Sequence, residues 1–338
     1  MKYAGVDLHK NQFSVHWRTG KGKGIFKEYP MTAKGISGFK KNLDKDTEVG
    51  LEATGNSKYF YDSIVNEVSK VRVINPLQFK IISESVKKTD RKDAEAISLY
   101  LSKGLLPEVR VMDKETRELR SLIQTRDKLV KLRSALKNKI HGILMEHGIQ
   151  SHKEMFSSQK ALDQLKDAPV SETSQFELEV IVNQIKSLTE SIQKIEEKIN
   201  QKGEGLKGQK NLQSITGVGK LSSTIILANI GNIDDFESSK KLCAYAGLVP
   251  STLESNENVR HGHITKRGDK IFRTTMVQVA LVVIRYNSYI RSFYERIKYK
   301  KGSGKAIIAT ARKLLSIIYD TLRNDWVFED FDKFVLQN

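Results

Sequence analysis

The sequence predicts a mixed α/β layer in its first third, followed by two long helices and a helical C-terminal region. Three observations carry that expectation. Short stretches that are apolar or alternate with period two are confined to positions before 76. From 114 to 146 the apolar residues instead recur at three- and four-residue steps, as one stripe of a long helix requires. Ile181, Ile185, Leu188, Ile192, Ile195 and Ile199 step alternately by four and three, the seam of a coiled coil.

Residues 2–31 divide into three short strands. The first, 3–8, is apolar with small residues; 12–18 and 24–29 alternate and flank a Gly-Lys turn at 20–24. A helix is expected over 33–43, a strand over 48–53, a helix over 58–68 and a strand over 71–75 stopped by Pro76. Thr89 can cap a helix that runs through Lys103 and stops at Gly104. Three antiparallel strands followed by alternating helix and strand form a mixed sheet, in the order of ribonuclease H-like layers. The helix over 114–146 and the seam over 181–199 then suggest an antiparallel coiled-coil arm, within the chain or across a dimer, and two helices of an ordinary bundle give the same pattern. Between them, the polar stretch 148–172 with Pro169 reads as a loop or short irregular helices. A Gly-Lys-rich linker is expected at 202–208 and an all-α region after it. The expected domains are therefore 1–105, 106–202 and 203–338.

The 338 residues hold 57 basic and 40 acidic side chains, a formal charge of +17. A polyanion partner accounts for that excess, because each phosphate neutralised releases a counterion. Lysine kept only for solubility is the alternative. The first long helix concentrates the charge, with Arg117, Arg120, Arg126, Lys128, Lys131, Arg133, Lys137 and Lys139, and its one-sided sign favours phosphate contact over a merely solvated face. The single cysteine, Cys243, excludes an intrachain disulfide and fits a reducing cytoplasm. No apolar run is long enough to span a bilayer, and MKYAGVDL reads as a strand rather than a signal peptide, so no membrane role is expected.

Four carboxylates form the first candidate site. Asp7 ends the first strand in GVDLHK, Glu52 follows the fourth in GLEATGN, and Asp90 and Asp93 in KTDRKDAEA share one face at a helix start. Phosphoryl transfer with two metals needs this kind of set, carboxylates from separate elements converging on divalent ions. Any one of them alone reads as a solvated acid. Further on, Gly217-Val218-Gly219 separates two short apolar helices, a hairpin that can hold a phosphate on backbone N–H groups, with Lys220 beside it. The stretch 243–273 is dense in hydroxyl, basic and glycine residues and reads as a site loop, with Arg260, Lys266, Arg267 and Arg273 as phosphate-binding candidates. His261 and His263 have no cysteine or other close ligand beside them and are not read as a zinc site.

Taken in order, GVDLHK, LEATGN, KTDRKDAEA, ITGVGKLSSTIILANIG, AGLVP…GHITKRGDKIFR and the closing KGSGKAIIATARKLLSIIYDTL resemble the DEDD transposases of bacterial insertion sequences, the insertion-sequence one-ten family, also described as bridge-RNA-guided recombinases. The resemblance implies a RuvC-like N-terminal domain, a coiled-coil arm and a C-terminal transposase domain with a helix-hairpin-helix. It implies Mg²⁺, replaceable by Mn²⁺, held by Asp7, Glu52, Asp90 and Asp93. It implies a serine nucleophile in the C-terminal domain, DNA ends and target as substrates, a structured non-coding RNA as guide, and dimers or tetramers assembled on DNA at the bacterial nucleoid. Ser255 falls where the family serine stands, but Asn256 and Glu257 replace the usual glycines, and Ser251 is the fallback. Two other readings use the same acids: a junction-resolving nuclease in which water attacks, and a nucleic-acid scaffold without catalysis.

Overall fold

The structure, a computed structural model, describes residues 1–19, 24–82, 89–255 and 258–329 and divides into two compact units, Met1–Val111 and Met112–Asn338.

The first unit is built on five strands, β1 (Lys2–Leu8), β2 (Gln12–Thr19), β3 (Ile25–Pro30), β4 (Thr47–Glu52) and β5 (Lys70–Ile74), with helices α1 (Ala33–Lys40), α2 (Ser57–Ile64), α3 (Pro76–Ile82) and α4 (Asp90–Ser102). The strand order is β3-β2-β1-β4-β5. β2 runs antiparallel to both β1 and β3, whereas β4 is parallel to β1 and β5 to β4. Period-two alternation then sorts the side chains onto two faces. Ala4, Val6, Leu8, Phe13, Val15, Val49 and Leu51 share one face and bury themselves against Ile36 and Phe39 of α1 and Phe60 and Ile64 of α2. The other face carries Gly5, Asp7, Ser14, His16 and Gly50 and is covered by α4. Thr89 caps α4 as its sequence predicts, accepting from the Lys92 N–H, and Gly104 takes a left-handed φ of 68° beyond its end. Pro76 ends one element and begins another: it stands at the first position of α3, where its missing N–H costs nothing.

The second unit opens with α5 (Lys114–Glu146), α6 (Gln159–Gln164) and α7 (Glu172–Gly203). Leu119 and Ile123, near the start of α5, pack with Ile199 at the end of α7, while Ile140, Ile143 and Leu144 pack with Leu178, Val182 and Ile185 near its start. The two long helices are thus antiparallel and pair within one chain. Then come α8 (Gln209–Gln213), α9 (Lys220–Ile230), α10 (Ser239–Tyr245), β6 (Pro250–Ser255), β7 (Asn258–Ile264), α11 (Lys270–Tyr286), α12 (Ser288–Lys301) and α13 (Ser303–Arg323).

Three expectations are corrected here. The C-terminal region is helical but not all-α, because the stretch read as an open site loop contains the antiparallel β6–β7 hairpin. The stretch 202–208 is not a free linker: α7 runs to Gly203, which is buried, and Leu206 packs against two apolar clusters. The charges of α5 are largely committed inside the protein. Arg126 pairs with Glu196 at 2.6 Å, Arg120 with Asp269 at 3.1 Å, Lys139 with Glu177 at 3.9 Å and Lys131 with Asp127, while Arg133 donates to Thr189. Three of these, from Arg126, Lys139 and Arg133, bind α7, so much of this basic stripe is a lateral clasp of the helix pair rather than an open phosphate track.

Candidate active site

The acidic set is positioned by how closely α4 lies on the sheet. A Cβ on Gly5 would stand 2.2 Å from the Ala94 carbonyl oxygen and 2.4 Å from the Ser98 nitrogen, both backbone atoms of α4. A Cβ on Gly50 would meet Ile97 at 3.0 Å and Leu106 at 3.1 Å. At Gly5, where the facing atoms are backbone, only glycine allows that approach; at Gly50 a Cβ would press on side chains. One pleat further along the same strands and on the same face come Asp7 and Glu52. Val6 pairs with Leu51, so the two acids are the next residues of adjacent parallel strands. The first turn of α4 supplies Asp90 and Asp93.

Asp7 is 8% exposed. Burial pushes its carboxyl above the usual carboxylate range; His9 pulls it back down, and the charges of Asp93 and Asp90 push it up again. The His9 Nε2 lies 3.1 Å from Asp7 Oδ2 and 3.3 Å from Asp90 Oδ2. Ligand atoms of Asp7, His9 and Asp90 all fall within 4.8 Å of one another. The structure therefore brings Asp7, Asp90 and Asp93 into one electrostatic neighbourhood and sets Glu52 beside Asp7 by strand register. It adds His9, which the sequence reading passed over, although its place two residues beyond Asp7 at the strand end was the available signal.

The chemistry of this set fits a divalent cation. Its donors are carboxylate oxygens with one imidazole, suited to a hard ion such as Mg²⁺ and, through the nitrogen, to Mn²⁺. Among the described residues the buried Ser14 Oγ, opposite Asp7 in the β1–β2 register, has no hydrogen-bond partner, and neither does the Thr54 Oγ1 just after Glu52. A desolvated carboxylate, like-charged neighbours and unmatched buried hydroxyls are what a cation with its waters would satisfy.

A second polar feature lies behind this site. The His16 Nδ1 is 2.7 Å from the Ser98 Oγ, and that hydroxyl donates to the Glu95 carbonyl. With its proton so committed, Ser98 accepts from the imidazole, which joins β2 to the middle of α4. Burial pulls the His16 pKa down; Glu95 raises it, while Arg18 and Arg91 lower it.

In the second unit, Gly217 has a φ of 93° in the turn between α8 and α9, and Val218 between the two glycines is buried in the core. Gly219 caps α9 without a side-chain hydrogen bond, so no side chain at the cap occupies the first N–H groups of that helix. Lys220 is exposed and lies 3.7 Å from Glu204. Lys266 (φ 52°) and Arg267 are exposed in the loop after β7, and this loop is pinned by N–H donation from Thr265 to Val249 and from Lys266 to Gly247. Arg273 is half-buried and donates to the Ala246 carbonyl, so part of its guanidinium is spent on this turn. By backbone register Ser255 pairs with Asn258 and Arg260 with Leu253. Asn256 and Glu257, and the side chains of Ser255 and Arg260, lie outside the described residues. The Ser251 hydroxyl donates to the His263 carbonyl across the hairpin at 3.1 Å.

A mixed sheet with carboxylates at its strand ends, joined in sequence to a helical hairpin region, defines a class of DNA-processing proteins. Comparison with known proteins identifies which. Residues 4–149 match the DEDD transposase family of the IS110 type, and residues 209–295 match the Transposase IS116/IS110/IS902 family. The chain belongs to the DEDD transposases of the IS110 family, enzymes that cut and rejoin DNA strands. It is 28% identical over 337 residues to the transposase for insertion sequence element IS1111A of Coxiella burnetii, covering 95% of this chain and 90% of that one. It is 24% identical to the transposase for insertion sequence element IS1328 of Yersinia enterocolitica, over 88% of this chain and 85% of that one. It is also 28% identical to a pilin gene-inverting protein of Moraxella bovis, over 82% and 81% of the two chains. Among the described residues no helix is long and apolar enough to cross a membrane.

Proposed function

We propose that the chain moves or inverts DNA segments by a cut-and-rejoin reaction in which Asp7, Glu52, Asp90 and Asp93 hold Mg²⁺ and Ser255 attacks the scissile phosphate. The observation that carries the metal part is the convergence of Asp7, Asp90 and His9 at the end of β1, with Asp7 desolvated. The strand order, with antiparallel β2–β3 on one side of β1 and parallel β4–β5 on the other, agrees with a ribonuclease H-like, RuvC-like domain. A divalent ion bound there supplies Lewis-acid charge to a phosphate oxygen. Asp7 fixes the position from the sheet, and Asp90 and Asp93 from the helix, so the donors are preorganised by rigid elements. The serine step forms an Oγ–P bond, breaks the P–O bond to the leaving strand, and passes the serine proton to that strand's oxygen. The phosphoserine conserves the bond energy needed to rejoin strands. The Ser251 hydroxyl donates to the His263 carbonyl, so attack by Ser251 would first have to break that bond. Gly217, Gly219, Lys220, Arg260, Lys266, Arg267 and Arg273 are assigned to phosphate contacts. A structured non-coding RNA as guide, and a dimer or tetramer as the working form, complete the reading by resemblance to the family.

Asp7→Asn tests the metal part through two readouts. Strand cleavage should be lost, while the metal-free fold should become no less stable, because a desolvated charge is removed. Mn²⁺ at about a hundred times its Kd should stabilise the natural chain by about 2.7 kcal/mol and leave the variant unchanged. Cleavage by the variant at the natural rate would refute the assignment. Ser255→Ala should abolish the covalent protein–DNA species; nicking without any adduct would instead select water as nucleophile.

A further inference from the structure

We infer that a pocket between α10, α12 and α13 binds a backbone phosphate of nucleic acid. It is a cavity of about 270 Å³ lined chiefly by Lys240, Cys243, Phe293, Arg312, Lys313 and Ser316. The assignment rests on the reading that this chain acts on DNA, and it adds a contact point made of residues other than those of the glycine hairpin and the loop after β7.

Charge is the first observation. Three cations line the pocket and no carboxylate does. On the long helices Arg126, Lys139 and Lys202 pair with acids across the helix pair and Lys131 pairs within its own helix, whereas among the described residues Lys240, Arg312 and Lys313 have no acidic partner within ion-pair distance. Lys313 is held in place by aromatic groups instead. Its Nζ donates to the Tyr289 hydroxyl at 2.8 Å and stands 4.4 Å from the Tyr289 ring centroid and 4.7 Å from that of Phe293. An ammonium fixed on aromatic faces sheds part of its water, which primes it for an anion.

Shape is the second observation. Leu242 and Cys243 anchor α10 in the core against Leu314, Leu315 and Ile318 of α13, so the wall that presents Lys240 is rigid. The Cys243 thiol donates toward the Arg312 carbonyl at 3.8 Å and lies 4.0 Å from the Ser316 Oγ. Burial pushes the thiol pKa up, so it stays neutral and does not compete as an anion. The Ser316 hydroxyl and the Arg312 fork can therefore both donate to one guest. The volume, about 270 Å³, lies just below the range of small-molecule sites, about 300 to 1,000 Å³. It suits a phosphate with its adjoining sugar rather than a bulky organic ligand.

Duplex DNA of arbitrary sequence and inorganic phosphate, titrated separately against the full-length protein, distinguish the two sources of phosphate. Arg312→Gln with Lys313→Gln should weaken duplex binding about tenfold at low salt. The slope of log affinity against log salt should flatten by about one to two, as expected for one or two lost phosphate contacts. Lys34→Gln with Lys58→Gln removes equal charge from exposed positions on the first unit and should change both far less. Equal effects of the two double variants would overturn the pocket. So would inorganic phosphate that binds but is not displaced by duplex, since the site would then serve a free anion. If the natural chain bound no duplex at all, the proposed function would fall with it; natural duplex binding by the pocket variant removes the pocket alone.

Discussion

The two faces of the N-terminal sheet differ in almost every physical respect. The face under α1 and α2 is apolar and rich in aromatic residues, with Phe13, Phe39 and Phe60 fully buried and their rings 4.9–5.7 Å apart. The face under α4 is thin and polar, with two glycines, a buried carboxylate, an unpartnered serine and a histidine clasp. Burial of large side chains fixes the sheet from one side. Close backbone approach fixes the acidic groups from the other. Stability and chemistry are thus assigned to opposite faces of the same strands, which the two-residue period of a β-strand makes possible.

Truncation on the aromatic face should have the largest effect on folding. Phe60→Ala deletes a ring at 0% exposure that meets Phe13 edge-on at 4.9 Å, and should cost about 3–5 kcal/mol. Whatever fraction remains folded should bind Mn²⁺ with natural affinity, measured by electron paramagnetic resonance at a temperature below the unfolding midpoint. A large loss of affinity in the folded fraction would show that the two faces are not separable. Gly5→Ala reverses the pattern. The new methyl group collides with backbone atoms of α4 that cannot rotate away, and should cost about 1–3 kcal/mol as overpacking. Shifting the helix that carries Asp90 and Asp93 should lower metal affinity by about ten- to a hundredfold, the range seen when groups that orient ligands are disturbed. Natural affinity in Gly5→Ala would break the link between close approach and site geometry.

Much of this contrast was legible in the chain. Alternation in 12–18 and 24–29, the Thr89 cap and the stripe from 114 to 146 each announced an element whose ends fell within a few residues of those observed. Asp7, Glu52, Asp90 and Asp93 could be picked out because they stand at element boundaries. What stayed hidden depends on contacts between distant segments. Nothing local distinguishes Gly5 from any other strand glycine until α4 is seen against it, and Ser98 is an ordinary helix residue until His16 reaches it. The β6–β7 hairpin was obscured by its composition: STLESNENVRHGHI mixes β-branched residues with Ser, Asn, Gly and charges, so hydroxyl and basic content outweighed a weak alternation. The basic stripe of α5 misled for a related reason. Charge is visible in sequence, but its partners on α7 lie far along the chain, 70 residues away for Arg126 with Glu196 and 56 for Arg133 with Thr189.

The smallest effect should come from the clasp that ties β2 to α4, and it should appear as pH dependence. His16 is buried and its pKa is lowered, mainly by desolvation, with Arg18 and Arg91 also opposing its protonation and Glu95 favouring it. In the unfolded chain the imidazole takes up a proton at its ordinary value; in the folded chain it does so only at lower pH. Between those two values the unfolded state binds more protons, so stability falls as pH is lowered through that window and rises as pH is raised. Below the folded value both states are protonated and the contribution of this group stops changing. Thermal melts at a series of pH values, compared with His16→Asn, isolate the effect, because the carboxylates titrate alike in both chains. The natural chain should lose more stability than the variant on going from neutral pH to just below the histidine range. The loss should be felt first on the α4 side, as faster amide hydrogen exchange in α4 than in α2. Parallel pH profiles for the two chains would mean that His16 packs without titrating in this window. Equal acceleration of exchange in α2 and α4 would mean that the sheet responds to acid as one body, and the division of labour between its faces would then not extend to local opening.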